Sequence, residues 1–151
     1  MNQQKNIRIT KAFRFEMAHA LKGYDGLCRN IHGHTYELRV TIVGKPIDDE
    51  TSPKLGMVMD FGDLKKIIKE EIVDKYDHSL VLFNKMPDSL ITELKNNFER
   101  IIIKDYNPTS ELMLLDFVEI IQARLPENIS LKQMFFRETT SSFAEWFAED
   151  N

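Results

Sequence analysis

Two stretches near the start of the chain alternate between apolar and polar positions. In residues 7–19, one set of alternate positions holds Ile7, Ile9, Phe13, Phe15, Met17 and His19. In residues 32–42, the matching set holds His32, His34, Tyr36, Leu38, Val40 and Ile42. A period of two is typical of strands with one buried face. The pattern therefore predicts two strands whose inward faces carry histidines where the first ends and the second begins.

Two later stretches have the spacing of helices. After Asp60, a favourable N-cap, apolar residues recur every three or four positions, at Phe61, Leu64, Ile68 and Ile72. This spacing predicts an amphipathic helix. A second helix is predicted over residues 110–125, with Thr109 as its N-cap and Pro126 at its end. Because apolar residues surround most of this second helix, we expect it to be covered on two sides.

The remaining elements are less clearly marked. Residues 131–138 alternate again and predict a strand, whereas residues 140–147 fit either a closing strand or a helix. Within residues 81–107 we expect a short helix capped by Asp88 and ending at Phe98, then a brief strand at residues 101–103. The order of elements predicts an α+β fold: an antiparallel four-stranded sheet with two helices on one face. Such a small sheet has open edges, so we expect an oligomer that closes it.

Composition limits the classes of function. The 151 residues fit one domain, and the contents of 42% hydrophobic and 29% charged residues are ordinary for a globular protein. The net charge is −4 without a block of like charges, which argues against a nucleic-acid surface. The single cysteine cannot form an internal disulfide, and the chain has neither an apolar signal core nor a membrane-spanning apolar run. We expect a cytoplasmic location.

The most informative cluster combines three of the four histidines with the only cysteine. His19, His32 and His34 lie at the adjoining ends of the two predicted strands, and Cys28 lies in the 12-residue loop between them. In an antiparallel pair, neighbouring positions on one face are about 5–7 Å apart, so three imidazoles can converge on one ion. A chance H-x-H pair is the simpler explanation, but it does not account for the third histidine. The cluster predicts a zinc site with an open fourth position.

Cys28 admits two interpretations. A thiol beside a metal can act as a base or nucleophile if its pKa is lowered. It can also be the fourth ligand of a closed structural site. The position of Cys28 in the loop, four residues before His32, mildly favours the first interpretation.

Two further acidic residues, Asp77 and Glu138, each admit two interpretations. Asp77 next to His78 can form an acid–base pair, but adjacent residues of an extended segment point apart, and a histidine at a helix C-terminus is the simpler explanation. Glu138 shares a strand face with apolar residues, so it requires either an arginine or a ligand with two adjacent N–H groups. Thr109 and Glu111 are explained by helix capping alone.

Five motifs occur in the order seen in one family of enzymes: C-R-N-I-H-G-H-T-Y, G-M-V-M-D-F-G-D-L-K, D-H-S-L, P-T-S-E and R-E-T. Across nearly its whole length, the chain resembles the 6-pyruvoyltetrahydropterin synthase and 6-carboxytetrahydropterin synthase family. The resemblance implies the tunnelling fold, with subunits assembled into a barrel, commonly as hexamers. It also implies 7,8-dihydroneopterin triphosphate as a substrate bound between subunits.

The same resemblance implies roles for the residues of the cluster. By motif position, His19, His32 and His34 resemble the zinc ligands, and Cys28 resembles the catalytic base.

Three other motifs carry implied roles as well. Asp77 and His78 resemble the partner acid–base pair, acting across a subunit boundary. Glu138 resembles the carboxylate that binds the amino and ring N–H groups of the pterin, and Thr109 is placed with it in the substrate site.

One spacing distinguishes two branches of the family. The chain has C-x3-H-G-H, which resembles the bacterial carboxy enzymes of queuosine biosynthesis, whereas the animal pyruvoyl enzymes resemble C-x5-H-G-H. We therefore expect a zinc-dependent lyase that forms 6-carboxy-5,6,7,8-tetrahydropterin and releases acetaldehyde and triphosphate. The alternatives are 6-pyruvoyltetrahydropterin synthase activity on the same substrate, a metal-dependent hydrolase and a non-catalytic pterin binder. The chain departs from the family in a longer segment before Pro108, in Leu112 after Glu111, and in Met17.

Overall fold

The alternating and helical patterns form a layered α+β domain. The computed structural model describes residues 5–151. Its strands are β1 (Ile7–His19), β2 (His32–Gly44), β3 (Ser79–Phe83), β4 (Ile101–Lys104), β5 (Ser130–Arg137) and β6 (Phe143–Phe147). Its helices are α1 (Phe61–Ile68), α2 (Asp74–Tyr76), α3 (Asp88–Asn97) and α4 (Ser110–Gln122). A π-helical segment, Lys69–Val73, joins α1 to α2, and a 3₁₀ turn, Leu27–Arg29, lies between β1 and β2.

The sheet contains the predicted antiparallel strands together with β3, which was not predicted, and β4, which confirms the brief strand expected at residues 101–103. Its order is β4-β3-β1-β2-β5-β6. The four strands β1, β2, β5 and β6 pair antiparallel, as the sequence predicts. The prediction of a purely antiparallel, four-stranded sheet is wrong, however, because β3 pairs parallel with β1 and β4 pairs parallel with β3. Helix α3 supplies the crossover that parallel neighbours need.

The core lies between the sheet and the long helices. The inward residues of β2, namely Tyr36, Leu38, Val40 and Ile42, are 0% exposed. They belong to the same buried cluster as Leu64 and Ile68 of α1 and Phe117 of α4. The parity of the apolar positions therefore gives the buried face correctly.

The caps of α1 and α4 are confirmed. Asp60 accepts a hydrogen bond from the Gly62 N–H at 2.6 Å, and the Thr109 hydroxyl accepts one from the Leu112 N–H at 3.4 Å. Helix α4 ends at Gln122, three residues earlier than predicted. The ring of Pro126 disfavours helical backbone in the residue before it, so the helix stops earlier.

The less clearly marked segments show three further differences. Helix α3 has Pro87 rather than Asp88 at its N-cap and ends at Asn97, one residue before Phe98. Residues 143–147 form a strand, which decides between the two alternatives for the tail. Strand β5 spans Ser130–Arg137, so Glu138 lies just beyond its end.

A search for membrane spans gives no candidate. Within residues 5–151, none of the helices combines the length and the hydrophobicity that crossing a bilayer requires.

Candidate active site

Three imidazoles meet where β1 ends and β2 begins. The antiparallel register places His19 opposite His32, and His34 lies two residues further along the same face of β2. The ring centroids are separated by 4.6 Å (His19–His32), 4.9 Å (His32–His34) and 5.4 Å (His19–His34). His19 is buried, and the other two are half-buried. The predicted convergence of the three side chains is confirmed.

Main-chain carbonyls fix the tautomers of two of these rings. His19 donates from Nδ1 to the Pro108 carbonyl at 2.7 Å, and His32 donates from Nδ1 to the Asn30 carbonyl at 2.8 Å. In a neutral imidazole the other nitrogen then carries a lone pair. The Nε2 atoms of His19 and His32 face each other at 3.1 Å. Two lone pairs at this distance repel unless a cation lies between them.

The charge state of the cluster suits a metal. Burial lowers the pKa of His19 and of His34 below the ordinary value for histidine, which keeps both rings neutral and able to coordinate. The Nε2 atom of His34 is buried and has no hydrogen-bond partner among residues 5–151. This unpartnered atom, together with the facing lone pairs of the other two rings, fits a divalent cation held by the three histidines.

Glu138 adds a carboxylate to the cluster. Its Oε1 lies 3.2 Å from Nε2 of His34, and the hydroxyl of Ser110 donates to its Oε2. The ligand atoms of Glu138 and the three histidines all lie within 4.8 Å of one another. The alternative that an arginine pairs with Glu138 is wrong, since among the described residues its ion-pair partner is His34.

Cys28 lies beside the cluster but outside it. The 3₁₀ turn places this half-buried residue on a cavity of about 550 Å³ that is also lined by His19, Glu138 and Thr109. Among residues 5–151, the group that can hold a metal contains Glu138 as its fourth member and not Cys28. This arrangement favours a free thiol over a fourth, structural ligand.

Thr109 and Glu111 also line this cavity. The hydroxyl of Thr109 is used by the cap of α4, as the sequence predicts. Because the residue also lines the cavity, capping does not remove it from contact with a ligand.

Asp77 and His78 form a pair, although they are adjacent in sequence. His78 adopts a positive φ of 59°, which turns its ring back so that Nδ1 lies 3.0 Å from Oδ2 of Asp77. Strand β1 holds the turn: Glu16 donates its N–H to Oδ1 of Asp77 at 2.9 Å and accepts the His78 N–H at 2.6 Å. The expected geometric obstacle to pairing is therefore removed by a left-handed backbone at one residue.

The charge of Asp77 is stabilised within this turn. Partial burial opposes ionisation, but the hydrogen bonds from the Glu16 N–H and from His78 hold the pKa of Asp77 below its ordinary value. The carboxylate is thus ionised at neutral pH and can orient the imidazole.

Within one chain, the Asp77–His78 pair does not face Cys28. The largely exposed ring of His78 lines a second cavity of about 580 Å³, formed with Ile31, Phe98 and Arg100 among others. Neither Cys28 nor any of the three clustered histidines lines that cavity. Within one chain, therefore, the residues to which the family resemblance gives catalytic roles lie at two separate cavities.

The family assignment rests on most of the chain. The model of the family described as 6-pyruvoyl tetrahydropterin synthase matches residues 8–149. The chain belongs to the 6-pyruvoyl tetrahydropterin synthase family. The resemblance seen in the sequence motifs is thus confirmed.

Individual relatives of this family match the chain over nearly their whole length. The chain is 36% identical over 143 residues to the 6-carboxy-5,6,7,8-tetrahydropterin synthase of Haemophilus influenzae, covering 92% of this chain and 97% of that protein. It is 28% identical over 166 residues to the protein of the same name from Aquifex aeolicus, covering 93% and 98%.

Solved structures show the fold. An uncharacterized protein of Wolinella succinogenes superposes with a TM-score of 0.76 at 19% identity, covering 95% of this chain and 99% of that one. The 6-pyruvoyl tetrahydropterin synthase of Caenorhabditis elegans gives a TM-score of 0.66 at 22% identity, covering 98% and 99%. These likenesses confirm the predicted tunnelling fold.

Sequence reasoning did not identify two side chains, those of Asn107 and Arg100, that bind main-chain groups near the site. The Asn107 side chain pairs with both main-chain groups of Lys22, accepting at 3.0 Å and donating at 3.2 Å, and so fixes the loop that carries Cys28. Arg100 donates to the carbonyls of Asp74 and Lys75 at 2.6 and 3.0 Å. No local pattern marks either contact, because each joins segments that are distant along the chain.

Proposed function

We propose that the protein is a zinc-dependent 6-carboxytetrahydropterin synthase. The proposed reaction converts 7,8-dihydroneopterin triphosphate and one water molecule into 6-carboxy-5,6,7,8-tetrahydropterin, acetaldehyde and triphosphate, as a cytoplasmic step towards queuosine. The observation that carries the proposal is a free thiol on a cavity beside three imidazoles whose ligand atoms lie within 4.8 Å of one another. The relative from Haemophilus influenzae, 36% identical, and the C-x3-H-G-H spacing support the carboxy branch.

The metal would be held by Nε2 of His19 and of His32 and by the ring of His34. Imidazole ligands favour zinc among the ions that such a site accepts. When bound, the ion supplies Lewis acidity to a substrate hydroxyl oxygen. The main-chain carbonyls of Pro108 and Asn30 keep two of the rings in the coordinating tautomer.

Cys28 would act as the base. Its position on the shared cavity supports this role, because a substrate side chain bound in that cavity would lie near the sulfur, and the thiolate would remove a proton from it. Glu138 would bind the amino and ring N–H groups of the pterin through its two oxygens, and Thr109 lines the same cavity.

Asp77 and His78 would serve the site of a neighbouring subunit. Asp77 holds the imidazole by its Nδ1, which leaves Nε2 of His78 free to relay a proton. Since the pair and Cys28 line different cavities of one chain, the complete set of groups requires a second copy.

The edges of the sheet support a homo-oligomer, with a hexamer as the expected form. Strand β1 pairs with β3 only at Met17, Ala18 and His19, so most of the outer edge of β1 has no strand beside it within the described chain. Strand β6 is the other edge of the sheet. Joining these two edges between copies would continue the antiparallel sheet and leave few unpaired main-chain groups.

A product assay tests the proposal. Metal-replete protein is incubated with 7,8-dihydroneopterin triphosphate, and the pterins are separated and identified. The carboxy compound together with acetaldehyde is expected. Formation of the pyruvoyl compound would assign the other branch of the family, and binding without turnover would indicate a pterin-binding protein.

A further inference from the structure

The position of Glu138 relative to the metal cluster goes beyond a role in pterin binding. We infer that Glu138 is the fourth ligand of the metal while the pterin site is empty, and that it leaves the metal for the pterin when substrate binds. The first half concerns metal binding alone. The second half rests on the proposed function.

Distances within the cluster are those of ligands around one ion. Ligands at 2.0–2.1 Å from a tetrahedral zinc are about 3.3–3.4 Å from each other. Nε2 of His19 and Nε2 of His32 are 3.1 Å apart, and Nε2 of His34 and Oε1 of Glu138 are 3.2 Å apart. Both separations are close to the edge of such a tetrahedron, and the set of four atoms spans no more than 4.8 Å.

The contact between His34 and Glu138 is not a hydrogen bond. Although the two atoms are 3.2 Å apart, Nε2 of His34 is buried and has no partner in hydrogen-bonding geometry. The ring nitrogen therefore does not point at the carboxylate oxygen. A ring nitrogen without a hydrogen-bond partner that lies beside a carboxylate oxygen in a buried place is explained when both atoms coordinate a common cation.

Ser110 fixes the orientation of the carboxylate. Its hydroxyl donates to Oε2 of Glu138, which leaves Oε1 directed at the imidazoles. Ser110 is the first residue of α4, and the positive end of the helix dipole favours a carboxylate there. The carboxylate is thus held from the helix side, and only one of its oxygens faces the cluster.

Coordination by Glu138 would determine when the metal has an open position. A site with three histidines and a carboxylate has no open position, whereas catalytic zinc sites keep one. Glu138 also lines the cavity shared with Cys28. A pterin in that cavity offers adjacent N–H groups that a carboxylate accepts in two parallel bonds. Binding of the pterin would therefore remove Glu138 from the metal and open a position only when substrate is present.

Metal affinity tests the first half. Metal-free wild type, Glu138→Gln and Glu138→Ala are titrated with zinc against a chromophoric chelator, and circular dichroism checks that each variant is folded. Both variants are expected to bind zinc at least about tenfold more weakly, since loss of a group that only supports a ligand already costs 10–100-fold. Glu111→Gln is the matched control, because Glu111 lines the same cavity and is not in the cluster. Equal zinc affinity of folded Glu138→Gln, Glu138→Ala and wild type would overturn the inference.

Cobalt(II) spectra test the exchange. Cobalt-loaded wild type and Glu138→Gln are expected to differ in their visible absorption before any pterin is added. Neopterin should shift the spectrum of the wild type, because the carboxylate leaves the ion. Neopterin that binds, as measured by its fluorescence, without changing the spectrum would overturn the exchange. These measurements need no turnover, so a wild type without synthase activity would refute the proposed function and leave the ligand role of Glu138 standing.

Discussion

At the scale of the residue, main-chain carbonyls rather than side chains orient two of the three clustered histidines. The carbonyls of Pro108 and Asn30 hold His19 and His32, so substitution of neighbouring side chains leaves the tautomers in place. The aromatic side of the site is equally fixed: Tyr36 stacks on Phe136 with centroids 4.7 Å apart, and burial raises the pKa of its hydroxyl. Substitutions at this scale therefore separate the chemistry from the framework.

Replacing Cys28 by alanine should abolish synthase activity and leave zinc content unchanged. The reason is that the thiol lines the cavity without belonging to the group of metal ligands. The measurements are product formation and zinc per chain. A Cys28→Ala protein that has lost its metal would instead support the closed structural site.

Glu37 provides a pH-dependent contribution to stability. It is 5% exposed, and Arg39 and Arg137 donate to it at 2.6 and 2.5 Å. Burial alone would raise the pKa of Glu37, but hydrogen bonding and charge from Arg39, with Arg137 and Arg14, hold it below 4.5. A lowered pKa in the folded state stabilises the fold above the pKa of the unfolded state, and this contribution disappears as the pH falls through the folded-state pKa.

Glu37→Gln should therefore lower the free energy of unfolding by about 1–2 kcal/mol at pH 7, at the low end for hydrogen bonds to charged groups because the arginines are partly exposed. The difference from wild type should shrink as the pH falls below about 4.5. Urea unfolding at several pH values measures it, with the exposed Glu119→Gln as the control. A difference that is independent of pH would contradict the assignment.

At the scale of the element, the segment of β3, α3 and β4 supports the Asp77–His78 turn. The carbonyls of Asp74 and Lys75 at the end of α2 lack intrahelical partners, and Arg100 satisfies both of them from just before β4. The Ser79 hydroxyl does the same for the carbonyl of Tyr76 at 2.6 Å. The helix thus ends in a defined way directly before the turn.

Arg100→Gln should reduce kcat about tenfold while the protein remains folded, because a displaced helix end misplaces His78. Arg100→Lys should recover part of the rate, since an ammonium group can still donate to a carbonyl. Arg8→Gln is the control, because Arg8 pairs with Glu149 and with no residue of α2 or of the turn. An unchanged kcat in folded Arg100→Gln would show that the turn holds without the arginine.

Sequence reasoning succeeded where one element carries its own pattern. Parity predicted that His19 and His32 would face each other, and polar N-caps predicted where α1 and α4 begin. It failed where the structure depends on distant segments. The brief strand predicted at residues 101–103 is confirmed as β4, but its partner was not predicted, and the parallel pairing of β3 follows only from its place beside β1. The contacts of Arg100 and Asn107 span long stretches of chain and have no local signal.

At the scale of the whole molecule, the two separated cavities connect the proposed chemistry with the proposed oligomer. Cys28 and His78 lie in one chain but line different cavities. If each site uses Cys28 of one subunit and His78 of the next, two inactive variants can restore each other.

Cys28→Ala and His78→Ala should each be inactive as pure proteins, whereas co-expressed chains should regain activity in up to about a quarter of sites, the statistical share of interfaces with both native residues. Activity is measured after purification through different tags on the two chains. The mixture of wild type with each variant serves as the reference. If a stable mixed oligomer regains no activity, Cys28 and His78 of the same chain act together.

The left-handed backbone of His78 has a consequence for laboratory evolution. An imidazole occupies a place where glycine would be relaxed, at a cost of roughly 1–2 kcal/mol. A library screened for heat resistance alone would therefore tend to exchange this histidine for glycine or asparagine. The recovered variants would withstand higher temperatures, but they would lack the imidazole on which the proposed reaction depends.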